Sequence, residues 1–231
     1  NQTRALMKEK RIAHIIDFGE KGFKGVKIET ISFILDTRKV PNMTTIESYI
    51  TEDVRCCSQE YITDNKFPYW LIYRDSNFDK IANEMNFNVF KAYRDRVITK
   101  ARTKESGRIR VLKSRNIGNN KIVNIADYDS YIDDLDGLDV AKYMNQECIL
   151  LPNLTYNPRA CFMPSNCIAD GSVAILTTID PSVNITEDDL AFYATDEFSN
   201  FYSVARNRGT RSLNIDNNSV FFFGTLKQHN I

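Results

Sequence analysis

Histidine is almost missing from this chain: only His14 and His229 are present. The five cysteines (Cys56, Cys57, Cys148, Cys161 and Cys167) are odd in number and contain no Cys-x-x-Cys spacing. A zinc site and a disulfide framework are therefore both disfavoured, and a reducing, cytoplasmic setting is expected. No apolar run approaches the roughly 18 residues needed to span a bilayer, so no membrane partner is expected. The first ten residues are polar and lack the apolar segment of a signal peptide. Glycine (nine) and proline (six) are sparse, which excludes collagen-like and low-complexity classes. Net charge is also absent, with 30 Lys and Arg against 30 Asp and Glu, so bulk charge does not point to a polyanion. The chain begins at Asn1 rather than Met, and it reads as a piece of a longer protein.

What is present is charge segregation. From Lys91 to Lys121 there are eleven Lys and Arg against Asp95 and Glu105. From Asp127 to Glu147 the balance reverses, with six Asp and one Glu against Lys142. Within the basic block, Arg108-Ile-Arg-Val-Leu-Lys-Ser-Arg-Asn-Ile117 alternates apolar and cationic residues, the period of a half-buried strand. One face would enter a core and the other would present guanidinium, ammonium and amide groups suited to phosphates and base edges. A solvated strand face accounts for the same pattern equally well.

The 231 residues suffice for one large domain or two small ones. The patterning predicts an α+β fold of mixed β-sheets with short helices. Residues 1–10 suit the end of a helix. Strands are expected over 11–18 and 26–36, the second buried on both faces, and residues 38–75 show no regular pattern. A helix is expected over 77–85, capped by Ser76 or Asn77, with Phe78, Ile81, Ala82 and Met85 on its apolar face. Further strands are expected over 121–125, 148–152, 159–163, 172–178 and 219–224. Thr186 caps a helix reaching Phe192, with acids in its first turn, and a second helix runs from about Asp196 to Arg206, stopped by Gly209. A domain boundary is expected near 97–104.

Common catalytic motifs fail. The loop Gly19-Glu-Lys-Gly-Phe-Lys-Gly25 matches neither the nucleotide P-loop nor the dinucleotide fingerprint. Asp17-Phe-Gly19 imitates a kinase tripeptide without the rest of the kinase signature. No Ser or Cys lies in a nucleophile motif, and His14 falls inside an apolar run. Asp133, Asp134, Asp136 and Asp139 miss the spacing of a calcium loop, and a solvated acidic loop explains them better. A second basic cluster, Arg206-Asn-Arg-Gly-Thr-Arg-Ser212, mixes arginine forks with short polar side chains, a combination that contacts phosphates and reads bases. Helix C-capping by arginine is the competing explanation.

Val111-Leu-Lys-Ser-Arg-Asn-Ile117, Cys148-Ile-Leu-Leu-Pro-Asn153 and Phe201-Tyr-Ser-Val-Ala-Arg-Asn-Arg-Gly-Thr-Arg-Ser-Leu-Asn-Ile215 resemble the target recognition region of adenine-specific DNA methyltransferases. These are the enzymes of type II restriction–modification systems, including type IIS and fused forms. The segment from Ile15 to Leu35 resembles the end of their catalytic domain, where a strand, a loop and an antiparallel strand complete the methyltransferase sheet. The resemblance implies residues 1–100 as the end of the catalytic domain plus a connector, and 101–231 as a DNA target recognition domain. It implies Phe23 as the aromatic that stacks on a flipped adenine.

The family's cofactor loop (Asp/Asn-x-x-x-Gly-x-Gly) and catalytic Asn/Asp-Pro-Pro-Tyr/Phe loop are both missing, and Asn65-Lys-Phe-Pro-Tyr69 only imitates the latter. The expectation is therefore a fragment with no catalytic residue, no metal and no cofactor of its own. S-adenosylmethionine would belong to the parent enzyme, together with a catalytic domain and, in fused forms, a nuclease. The expected partner is double-stranded DNA. Arg110, Lys113, Arg115 and Asn116 are the first candidates to read it, and Arg206, Arg208, Thr210 and Arg211 the second. The alternatives are a magnesium-dependent nuclease and a protein-interaction domain pairing basic and acidic faces.

Overall fold

The computed structural model describes residues 2–155, 157–209 and 213–227. The protein is a mixed α+β fold of several small sheets and short helices. The chain divides into two compact units, Asn1–Asp79 with Ser203–Arg211, and Lys80–Tyr202 with Ser212–Ile231. No described helix is long and apolar enough to cross a membrane.

The first unit opens with α1 (Gln2–Lys8) and β1 (Arg11–Gly19), as the sequence predicts. After the glycine loop, β2 (Thr30–Asp36) pairs antiparallel with β1. Two strands follow, β3 (Met43–Ser48) and β4 (Asp53–Ser58), giving the order β2-β1-β3-β4 with β1 parallel to β3. Sequence patterning leaves 38–75 irregular because the inward face of β3 is mostly polar. Thr44, Ile46 and Ser48 are its buried residues. Thr44 Oγ1 donates to the Ile12 carbonyl at 2.7 Å, so burial of its hydroxyl is compensated.

β2 differs from expectation. It is an edge strand and not a doubly buried one, with Ile31, Phe33 and Ile34 at 54, 44 and 60% exposure. An apolar run cannot by itself distinguish a central strand from an uncovered edge. The one-turn α2 (Gln59–Ile62) leads to α3 (Ser76–Glu84). Asp75 supplies the cap of α3, its Oδ1 accepting from the Phe78 N–H at 2.8 Å. Arg74 binds Asp64 and Asp79 at 2.9 and 2.7 Å and lies over the rings of Tyr61 and Phe67, fastening the chain that leads into α3.

The second unit contains the remaining sheets. β5 (Met85–Asn86) pairs with the last strand, and β6 (Phe90–Tyr93) borders a larger sheet. β7 (Ile109–Leu112) lies between β8 (Ser130–Ile132) and β12 (Cys167–Ala169), antiparallel to the first and parallel to the second. β9 (Ile149–Pro152), β11 (Cys161–Phe162) and β13 (Val173–Thr178) form the antiparallel sheet β11-β9-β13-β6. β10 (Leu154–Thr155) pairs with β14 (Leu213–Asn214). β15 (Thr225–Leu226) closes onto β5.

Val111, Leu112, Leu150, Ile168, Val173 and Ile175 meet in one core cluster, all essentially inaccessible. A second core is aromatic. Tyr193, Phe198, Tyr202 and Phe223 meet in tilted, edge-on and parallel contacts with centroids 4.8–6.0 Å apart.

The helices α4 (Glu187–Tyr193) and α5 (Asp196–Ala205) fall where predicted. Thr186 and Asp189 form a reciprocal capping box, each side chain accepting from the other's backbone N–H. α5 ends with Asn207 and Arg208 both left-handed (φ 51°), and Arg208 N–H reaches back to the Ser203 carbonyl at 2.7 Å. Gly209 is thus not the residue that turns the chain.

Two expected strands are absent. Residues 121–125 contribute only the isolated bridge Ile117–Ile122. Ser219–Phe222 is a 3-10 turn, because its consecutive apolar side chains are buried in the aromatic core and not along a sheet face.

Candidate nucleic-acid interface

The basic stretch Arg108–Ile117 splits after Leu112. β7 buries Ile109, Val111 and Leu112 and turns Arg110 away, as the alternation requires. Ser114–Asn116 is then a 3-10 turn and not more strand. Its cause is Asn116, whose Oδ1 accepts from the Lys113 N–H at 3.0 Å and pulls the chain out of extended geometry.

The Asn116 amide also donates to the Val123 carbonyl at 3.0 Å and to Asp129 Oδ1 at 2.6 Å. Asp129 Oδ2 accepts from Arg110 Nη2 at 2.8 Å and from the Ile125 N–H at 3.3 Å. Arg110 Nη1 reaches Asn124 Oδ1 at 2.7 Å, and its Nη2 the Val123 carbonyl at 3.1 Å. Burial tends to raise the Asp129 pKa, but hydrogen bonds from Asn116 and Ile125 and the Arg110 guanidinium outweigh it. The carboxyl is held below its ordinary range.

Arg110 and Asn116 therefore fasten residues 123–129 against β7. Asn116 is fully buried, so its amide is committed to this bracket in the structure. The bracket presents Tyr128. Lys113 Nζ lies 4.0 Å from its ring centroid and donates to its carbonyl, and the Arg115 guanidinium lies 4.7 Å from the same centroid. Of the four first candidates, Arg115 is the exposed one.

The acidic run lies beside the basic block because β8 pairs with β7. Asp133 takes Lys104 Nζ at 2.7 Å, and its carbonyl accepts from Arg108 Nη2 at 2.6 Å. The hydrogen bond and charge of Lys104 lower the Asp133 pKa, and those of Asp133 raise that of Lys104. Part of the linear segregation is thus cancelled in three dimensions. Lys91, Arg96, Lys100, Arg102, Arg115 and Lys121 remain exposed and have no ion pair among the described residues. No group of three or more metal-ligating side chains occurs among the described residues.

The second basic cluster belongs to the other unit. Asn207 serves the fold, its Oδ1 accepting from the Ile72 N–H and its Nδ2 donating to the Trp70 carbonyl, both at 2.9 Å. Arg208 lies 5.8 Å over Tyr73. Arg206 lines a cavity in this unit. Thr210 and Arg211 lie outside the described residues. Phe23 is 60% exposed in the loop between β1 and β2. In that loop Gly25 (φ +77°) needs its glycine, and a Cβ on Gly22 would meet Thr30 Oγ1 at 2.1 Å. Asn65 and Tyr69 have structural partners: Asn65 accepts from Lys8 Nζ and Tyr69 donates to the Ala205 carbonyl, both at 2.8 Å.

Sequence reasoning missed Asp129 as the hub and Tyr128 as the platform. Asp129 sits in an acidic run, where a pairing partner has no local signature. No family model matches the chain, and no curated protein matches it.

Proposed function

We propose that this chain is the C-terminal part of an adenine-specific DNA methyltransferase of a type II restriction–modification system, and that its second unit recognises duplex DNA. The observation that carries this reading is the bracketed cation pair. Arg115 and Lys113 are held on Tyr128 by the Arg110–Asp129–Asn116 network, amid exposed cations lacking ion pairs. A guanidinium braced on an aromatic ring loses less freedom on contacting a base or phosphate than a free one.

In this reading Arg96, Lys100, Arg102 and Lys121 contact phosphates, and Arg115 reads a base edge. Arg110 and Asn116 act by positioning. The antiparallel β1–β2 hairpin, with the apolar edge of β2 open, is compatible with the two closing strands of a larger catalytic sheet. The residues present do not fit S-adenosylmethionine, since no cofactor loop occurs and the Pro-Tyr imitation at 68–69 is used structurally. Methyl transfer is accordingly assigned to the parent enzyme and not to these residues.

The test is fluorescence anisotropy on a duplex selected from a random-sequence pool, against a scrambled duplex. Arg115→Ala should weaken selected-duplex binding by about 1–3 kcal/mol while leaving the scrambled duplex nearly unchanged. An equal loss on both would reassign Arg115 to a phosphate. Failure of the wild-type chain to select any duplex would overturn the reading.

A further inference from the structure

The first unit contains a cavity of about 350 Å³, at the lower end of the roughly 300–1,000 Å³ typical of small-ligand pockets. Its walls are largely apolar and aromatic, with Arg4, Asp17, Glu29, Arg206 and Asn207 as the polar groups. Ile15, Ile31 and Phe33 come from the paired strands β1 and β2, and Tyr69 and Trp70 from the segment clamped by Asn207. Into this surface β1 brings a carboxylate. Asp17 is 4% exposed and lines the cavity.

Asp17 is only half satisfied. Its Oδ1 accepts from the Gly19 N–H at 2.9 Å and its Oδ2 from Tyr73 Oη at 2.6 Å. Tyr73 Oη in turn lies 2.6 Å from Ser48 Oγ, whose other partners are the N–H groups of Ile50 and Thr51. Because Tyr73 donates to Asp17, the Ser48 hydroxyl donates to Tyr73. The relay fixes the carboxylate in place. Two oxygens offer about four acceptor positions, so one on each remains. Asp17 has no ion pair among the described residues. A buried carboxyl group that has acceptor positions left and no ion pair among the described residues, set in an aromatic pocket, favours a flat guest bearing two adjacent N–H donors. Arg4 lines the same cavity, together with Glu29 and Arg206, and suits an anionic group on that guest.

We infer that this cavity is a nucleotide site selective for guanine. The N1–H and N2–H groups of the base would meet the two Asp17 oxygens, the ring would lie among Phe33, Tyr69 and Trp70, and the phosphate would face Arg4. Adenine presents an acceptor beside its amino group and leaves one carboxylate oxygen opposed by a lone pair.

Trp70 is the chain's single tryptophan, so its emission reports this cavity directly. Titration of the full chain with GMP should change that emission saturably, with AMP binding about tenfold or more weakly. Asp17→Asn should remove most of the GMP preference. Arg4→Ala should bring GMP affinity down to that of guanosine, whose own binding should not change. If Asp17→Asn does not fold by circular dichroism, the wild-type GMP-to-AMP ratio and the Arg4→Ala variant decide. No saturable change with GMP, or equal affinity for GMP and AMP, overturns the inference. Duplex binding is measured separately, so a chain that binds GMP but selects no duplex refutes only the DNA reading, and the converse result refutes only this one.

Discussion

Asp129→Ala should unfasten the bracket beneath Tyr128. The carboxylate accepts from Arg110 and Asn116 at 2.8 and 2.6 Å and weakly from the Ile125 N–H, and its loss leaves the two side chains with other partners. Arg110 keeps Asn124 and the Val123 carbonyl, and Asn116 keeps the Val123 carbonyl. A hydrogen bond to a charged group contributes about 1.5–3 kcal/mol. Two strong ones are lost here, but Arg110 and Asp129 retain 17 and 18% side-chain exposure and the donors retain other partners. The net loss is about 2–3 kcal/mol.

At roughly 2–4 °C per kcal/mol for a unit of this size, the melting temperature should fall by about 4–12 °C at neutral pH. The difference should also depend on pH. A carboxyl held below its ordinary value of 3.8 stabilises the fold above that value and stops doing so as pH falls through its lower folded value. Wild type and Asp129→Ala should therefore converge in acid, below about pH 4. Circular-dichroism melts across this range are the assay. A neutral-pH shift under about 2 °C, or a gap that widens on acidification, would refute the bracket as a stabilising element.

Leu150→Ala should cost about 2–5 kcal/mol in urea unfolding, because Leu150 is wholly inaccessible in the core beside Ile175 and Cys161. Burial pushes the Cys148 and Cys161 thiols up to about 12, and raises Cys167 despite the nearby Arg110. Iodoacetamide at neutral pH should therefore label exposed Cys56 first and spare these three until denaturant is added, as peptide mass spectrometry would record.

Helices were the most legible part of the sequence. Thr186 with Asp189, and the apolar spacing of 196–205, are local signals, and α4 and α5 follow them. β3 was illegible because Thr44 and Ser48, two of its three buried residues, are polar and depend on distant partners, Ile12 and Tyr73. The run 219–224 was misread because consecutive phenylalanines satisfy strand propensity and a buried 3-10 turn alike. At the candidate interface, the cationic alternation located β7 and the exposed Arg115. It could not show that Asn116 would turn inward, since that depends on Val123 and Asp129 arriving from beyond the turn. The cavity around Asp17 had no sequence signal, because its walls come from six separate stretches of the first unit.

The open margin of β2 also has a consequence for handling the protein. Backbone groups on the outer side of β2, unpaired among the described residues and flanked by Ile31, Phe33 and Ile34, form a ready template for strand addition by another chain. No proline or lysine interrupts residues 30–36, and the two register shifts in the strand's pairing fall on β1, at Ala13 and Phe18. These seven residues belong to the first unit, whereas the basic side chains assigned to DNA belong to the second. A charge placed at Ile34, on the sheet face opposite the cavity, is the smallest change that would guard the edge while leaving the Asp17 pocket wall intact.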